Sequence, residues 1–198
     1  MQYFNSLPKV VQIDSKSVPT VLTNIMARSS IIPSLLKNPM VFYRYDVQDD
    51  DTPEIVADKY YGSSYRYWIV LYANQLTDPQ WDWPLSGYNF QKYIENKYQE
   101  FDPYSTVHHY EKIITQYDYN TDTTTTNTII IDEDTYNSLT SSSQTYTLPT
   151  GQVSVNIEKN AVSYYTYELN LNESKRNIII LNNTYVGQLE SEFLKLMS

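Results

Sequence analysis

No cysteine occurs in the 198 residues. Disulfide scaffolds, thiolate zinc sites and cysteine nucleophiles are thereby excluded. Glycine is nearly as scarce, with only Gly62, Gly87, Gly151 and Gly187. No two lie close enough to form a dinucleotide fingerprint, a phosphate loop or a nucleophile elbow. The two histidines, His108 and His109, are adjacent, so the helical zinc motif with spaced histidines is missing. Basic residues number 14 against 23 acidic ones, giving a net charge of −9. That is the wrong sign for neutralising phosphates, and no nucleic-acid partner is expected. The longest apolar run, Tyr67 to Ala73, falls far short of the ~20 residues a membrane helix needs. Residues 1–8 have neither a basic n-region nor an apolar h-region. The expectation is a soluble acidic protein that stays where it is made.

What the chain has instead is tyrosine, 21 residues of it. Leu, Ile, Val and Phe make up about a quarter of the sequence, above the roughly 20% floor for a chain that can bury a core. Much of the apolar surface is therefore amphipathic. Tyr combines a large ring with a hydroxyl that wants a partner, which suits half-buried positions and interfaces.

The pattern along the chain predicts an α+β fold in three stretches. Residues 1–39 are broken by Pro8, Pro19, Pro33 and Pro39 and read as an N-terminal arm, with a short helix over Val21 to Arg28. In residues 40–100, Met40 to Val47 alternates as a strand with Val41, Tyr43, Tyr45 and Val47 on one face. After the acidic turn Asp49-Asp50-Asp51, Thr52 stands at a helix N-cap, Pro53 at the first helical position and Gly62 at the C-cap. A second helix follows Ser64, with Tyr65, Trp68, Ile69, Tyr72 and Ala73 at helical spacing and Asn74 closing it. A loop containing Trp81 and Trp83 leads to a third helix over Ser86 to Gln99.

Residues 101–198 read as β-rich. A strand is expected over Thr106 to Tyr117, then a Thr/Asn/Asp tract to Thr128 and a short buried strand at Ile129 to Ile131. A helical turn at Asp134 to Leu139 and a polar loop at Ser141 to Gln144 follow. Ala161 to Leu171 and Arg176 to Leu181 read as a β-hairpin. The chain ends in an amphipathic helix from about Thr184, with Val186, Leu189, Phe193, Leu196 and Met197 on one stripe.

The order Tyr45-Asp46-Val47, Asp51-Thr52, Val56-Ala57, Tyr61-Gly62, Trp68-Ile69 and Asn74 resembles a LysM module. Two features depart from that pattern: Asp50 stands where a Gly usually precedes the Asp, and Trp81-Asp82-Trp83-Pro84 does not spell the usual second strand. Both lie near loops that hold glycan in carbohydrate-binding modules, so glycan binding is not carried over. The wider arrangement of Pro-broken arm, LysM-like unit, Tyr67-Trp68-Ile69-Val70-Leu71 helix, Asp78-Pro79, Trp loop and a helix ending Lys97-Tyr98 is similar to the baseplate wedge protein 53 family of contractile-tailed phages. The ending, Asn177 to Leu181 and then a short helix, is similar too. The resemblance implies a structural subunit of the virion tail baseplate that joins neighbouring wedge units, with other wedge subunits as partners and neither a catalytic site nor a cofactor.

Three clusters carry side chains capable of sharper chemistry. His108 and His109 with Asp102 or Glu111 could ligate a metal, but adjacent strand residues point to opposite faces. Asp118, Asn120 and Asp122 match the first half of a calcium loop, which then fails at Thr123 and Ile129. Asp49 to Asp51 and Asp132 to Asp134 could pair carboxylates for glycoside hydrolysis, yet acidic runs at turns are usually solvated caps. A LysM-type peptidoglycan or chitin binder, with Trp81 and Trp83 as stacking rings, is the alternative function. The expected partner interface is Trp81, Trp83, Leu189, Phe193 and Leu196, on the Trp loop and the terminal helix.

Overall fold

The computed structural model describes residues 3–13, 18–149 and 151–197. In chain order the first elements are β1 (Lys9–Ile13), β2 (Pro19–Thr23), α1 (Pro33–Leu36), β3 (Phe42–Asp46), α2 (Pro53–Tyr61), α3 (Tyr67–Ala73), α4 (Pro79–Asp82) and α5 (Gly87–Lys97). They continue with β4 (Val107–Asp118), β5 (Thr123–Ile131), α6 (Glu133–Ser138), β6 (Ser142–Leu148), β7 (Gly151–Ser163), α7 (Tyr164–Ser174), β8 (Asn177–Leu181) and α8 (Val186–Met197). The fold is mixed α+β with small antiparallel sheets: β1-β2, β3-β8 and the four-stranded β5-β4-β7-β6. The chain divides into two units, residues 1–87 with 172–198, and residues 88–171.

In the first unit the helix signals act as the sequence predicts. The Thr52 hydroxyl accepts from the Ile55 N–H at 3.3 Å, Pro53 opens α2, and Gly62 ends it at φ 65°. A 3-10 turn over Ser64–Arg66 leads into α3. Val56, Ile69, Val70 and Ile180 are fully buried, each burial contributing about 1.5–3 kcal/mol. The β3 register pairs Tyr43 with Ile180 and Tyr45 with Ile178, so the face expected for Tyr43 and Tyr45 is shared with two buried isoleucines. Phe42 and its partner Leu181 are buried on the opposite face, so this short sheet is covered on both sides. Asp50 adopts φ 66°, a left-handed conformation that Asp tolerates better than most side chains.

Two expectations are corrected. Val21 to Arg28 is not helical: residues 19–23 form β2, held against β1, because Val18, Thr20, Val21 and Thr23 favour strand once a cross-strand partner is present. The hairpin expected from Ala161 to Leu181 does not form either. Residues 164–174 are helical, and β8 pairs with β3, more than a hundred residues earlier. Alternation in Tyr165-Thr166-Tyr167-Glu168-Leu169-Asn170-Leu171 imitates a strand, while Glu168 and Asn172, at helical spacing, are the buried positions. A helix that turns polar groups inward hides its period from a hydrophobicity pattern.

In the second unit β4 lies between β5 and β7, and β6 pairs with the outer edge of β7. The Thr/Asn/Asp tract is mostly strand: β5 takes in Thr123 to Ile131, its β-branched threonines suiting the pleat. Ile129 and Ile130 are exposed there rather than buried. Asp118-Tyr119-Asn120-Thr121-Asp122 forms the β4–β5 turn, with the Asp118 carboxylate accepting from the Asn120 N–H at 2.8 Å. Ser142–Leu148 is a strand, not a polar loop, and Asp132 caps α6 by accepting from the Thr135 N–H at 2.9 Å. Phe90, Ile94 and Val162 are buried apolar residues of this unit. Beside them the buried Glu168 carboxylate accepts from Lys97 Nζ at 2.6 Å and from the hydroxyls of Tyr98 at 2.7 Å and Tyr93 at 3.2 Å. Burial alone would raise the Glu168 pKa, but these three donors outweigh it and hold it below the usual range.

Candidate protein interface

Phe193 is the pivot of the terminal helix. Its ring centroid lies 5.0 Å from Trp68, 5.3 Å from Tyr3 and 6.4 Å from Tyr72, an aromatic cluster in the core of the first unit. Val186 and Met197 are buried on the same stripe. Glu190 holds the helix laterally, accepting from Arg66 Nε at 3.2 Å. The start of the helix is set by Asn182, whose side chain accepts from the Thr184 N–H at 3.1 Å and donates to the Tyr43 hydroxyl at 2.7 Å.

With α8 fixed this way, its remaining apolar residues line a groove. Leu189, Phe193 and Leu196 form one wall, Ile31, Ile32 and Leu35 another, and Phe42 with Leu181 the floor, enclosing about 390 Å³. Gln188 and Glu192 supply polar atoms to the lining. Leu196 is 70% exposed, Ile32 69% and Leu35 42%, so an apolar strip faces outward. Pro33 at the first position of α1 fixes the wall that carries Ile32 and Leu35.

The Trp loop is divided in its roles. Trp83 is buried, and its indole N–H donates to the Asp51 carbonyl at 2.7 Å. Trp81 is 60% exposed on α4, whose N-cap Asp78 accepts from the Gln80 N–H at 3.1 Å. Of the five residues expected to meet a partner, three therefore line one groove and the two tryptophans are not among its lining. Phe193 and Trp83 are held in the core, while Trp81 and Leu196 present most of their surface. Ile31, Ile32 and Leu35 were missed in the sequence, although the apolar doublet before Pro33 was the available signal.

Asp51, expected as a solvated turn residue, is buried. Its carboxylate accepts from the Tyr45 hydroxyl at 2.7 Å, from Lys59 Nζ at 2.5 Å and from the Gln48 N–H at 3.1 Å. Burial pushes its pKa up, but Lys59, Tyr45 and the Gln48 amide together hold it below the usual carboxylate range. Tyr45 is pushed up to about 12, by burial first and then by its bond to Asp51. Asp49 instead pairs with Arg176, at 2.7 Å. The acidic turn is thus a structural junction in which the Asp49 and Asp51 carboxylates are already engaged.

His108 and His109 also differ from expectation. A bulge at His108 breaks the alternation of β4, so both rings lie side by side with their Nδ1 atoms 2.8 Å apart. His108 stacks on Tyr167 at 4.0 Å, and His109 Nε2 meets Glu111 at 3.2 Å. Among the described residues no group of three or more His, Asp or Glu side chains is placed to hold a metal. No helix among them is long and apolar enough to cross a membrane.

The groove beside α8 is apolar, and the Asp49, Asp51 and Glu168 carboxylates are engaged by their own neighbours. Residues 3–196 match the family model described as base plate wedge protein 53, and the chain belongs to that family. No curated protein matches it in sequence. The chain is accordingly a structural component of the phage baseplate, in the virion tail, and not an enzyme; it works by binding other baseplate proteins.

Proposed function

We propose that this protein joins neighbouring wedge units of a contractile tail baseplate, and that the groove beside α8 receives another wedge subunit. The observation that carries this reading is the outward apolar strip of Ile32, Leu35 and Leu196 above a floor fixed by Phe42 and Leu181. Exposed leucine and isoleucine on rigid elements suit a partner's apolar side chains without a large ordering cost. Trp81 is a second contact point.

The first unit is read as a LysM-like module. Its strand β3, helices α2 and α3, and strand β8 make a strand-helix-helix-strand unit in which the second strand comes late in the chain. Asp50, with φ 66°, occupies a backbone position that a Gly would fill at less cost. Glycan binding is not part of this reading, because Trp83 is buried and so is not available as a stacking ring alongside Trp81.

Leu196→Asp tests the groove. The charge sits on an exposed position, so thermal unfolding should match wild type while incorporation into baseplates, followed by sedimentation of assembly intermediates, is lost. Normal incorporation would remove the groove from the interface. Retention on insoluble peptidoglycan or chitin, reversed by soluble oligosaccharide, would restore the glycan-binding alternative.

A further inference from the structure

The β1–β2 hairpin has no core of its own. Every described residue from Lys9 to Leu22 is exposed, although Val10, Val11, Ile13, Val18, Val21 and Leu22 are among them. Residues opposite one another share a face. One face therefore carries Val11, Ile13 and Val21, which are 65%, 67% and 66% exposed, and the other Val10 and Leu22. Its base is anchored, with Leu7 in the core and Tyr3 packed against it. An isolated two-stranded hairpin is marginally stable in water, so an apolar one projecting from a folded unit is suited to a surface outside its own fold.

The hydrogen-bond phase shows which edge is open. The Asn24 N–H donates to the Pro8 carbonyl at 2.8 Å. In an antiparallel ladder bonded and non-bonded pairs alternate, so Val10/Leu22 and Gln12/Thr20 are bonded pairs. Lys9, Val11 and Ile13 then direct their N–H and C=O groups away from β2. On the other edge Pro19 removes a donor, which blunts it. The β1 edge keeps its donors and acceptors, and its neighbouring side chains are apolar.

Charge narrows the occupant. Before Tyr45 the sequence carries Lys9, Lys16, Arg28, Lys37 and Arg44 against Asp14 alone, a basic excess in a chain of net charge −9. An apolar, open-edged strand in a segment with a basic excess fits a partner of opposite sign.

We propose that β1 adds as an extra strand to the free sheet edge of a neighbouring baseplate subunit, at a site bordered by acidic side chains. Backbone bonds from Lys9, Val11 and Ile13 supply the pairing, and Val11, Ile13 and Val21 are covered by it. This rests on the structural reading above but names a segment and a chemistry that the groove does not involve.

The test uses the full chain and, as probe, baseplate wedges purified from infections in which this gene carries a nonsense mutation. Amide hydrogen exchange of the free and wedge-bound chain is compared. Amides of Lys9, Val11 and Ile13 should exchange at least tenfold more slowly in the bound state, and affinity should fall as salt rises. Val11→Pro removes an outward N–H without touching a bonded pair, so it should weaken wedge binding at least tenfold with thermal unfolding unchanged. Val11→Thr, which keeps the N–H, should bind within a few-fold of wild type. Unchanged exchange at these amides in a wedge-bound chain overturns the proposal while leaving the structural reading intact. Failure of the wild-type chain to bind wedges overturns both. Protection of β1 in a free chain that sediments as a dimer would assign the edge to a second copy and overturn the proposal as stated.

Discussion

The side chain of Asn74 pairs with the backbone of Ile179 as another strand would. Its amide donates to the Ile179 carbonyl and its carbonyl accepts the Ile179 N–H, both at 2.8 Å. The same amide donates to the Val70 carbonyl, also at 2.8 Å, closing α3. Asn172 repeats the device with Leu85, accepting its N–H at 2.7 Å and donating to its carbonyl at 3.0 Å. Two asparagines thus satisfy backbone groups that no sheet partner reaches, and each ties together segments distant in sequence.

Asn74→Leu keeps the volume but leaves the Ile179 N–H and carbonyl without those partners. Each unsatisfied group costs about 1–3 kcal/mol, so a marked fall in the denaturation midpoint is expected. Urea unfolding of the variant checks this, and an unchanged midpoint would show that water replaces the carboxamide.

Gly62→Ala isolates a backbone effect. No atom lies within 4 Å of where the added methyl would sit, so the strain comes only from φ 65°. A loss of about 1 kcal/mol is expected in thermal unfolding, with wedge binding unaltered.

Acid should destabilise the first unit through Asp51. Its folded pKa is depressed, so its contribution is complete above the unfolded value of about 3.9 and is lost as pH falls through the folded one. Below about pH 4 stability should decline, and in Asp51→Asn that decline should be shallower. Glu168, depressed for the same kind of reason, keeps a residual slope in the variant. Unfolding midpoints collected from pH 7 down to pH 2 give the comparison.

Trp83→Phe and Trp81→Ala should separate stability from assembly. The first loses a buried indole bond to the Asp51 carbonyl and should destabilise by about 1–3 kcal/mol. The second removes an exposed ring, leaving thermal unfolding nearly unchanged while lowering baseplate incorporation. The reverse pattern in the two assays would exchange the roles given to these tryptophans.

Local signals were readable wherever the physics is local. Thr52, Pro53 and Gly62 fix α2 through caps and φ preferences that need no distant partner, and the stripe of α8 follows from its 3.6-residue period. The absence of cysteine and the paucity of glycine removed whole classes of chemistry before any fold was known. The tertiary structure decided what depends on partners. Val21 to Thr23 became strand because β1 lies opposite, and Ile178 to Leu181 found Phe42 to Tyr45 across the chain. Residues 164–174 became helix with Glu168 and Asn172 turned inward, since Lys97 and the Leu85 backbone satisfy their polar groups there. Phe193 and Leu196 share one sequence stripe, yet one fills the core and the other faces outward. A periodic pattern marks the apolar side of a helix, but only the surfaces packed against it determine how much of that side is covered.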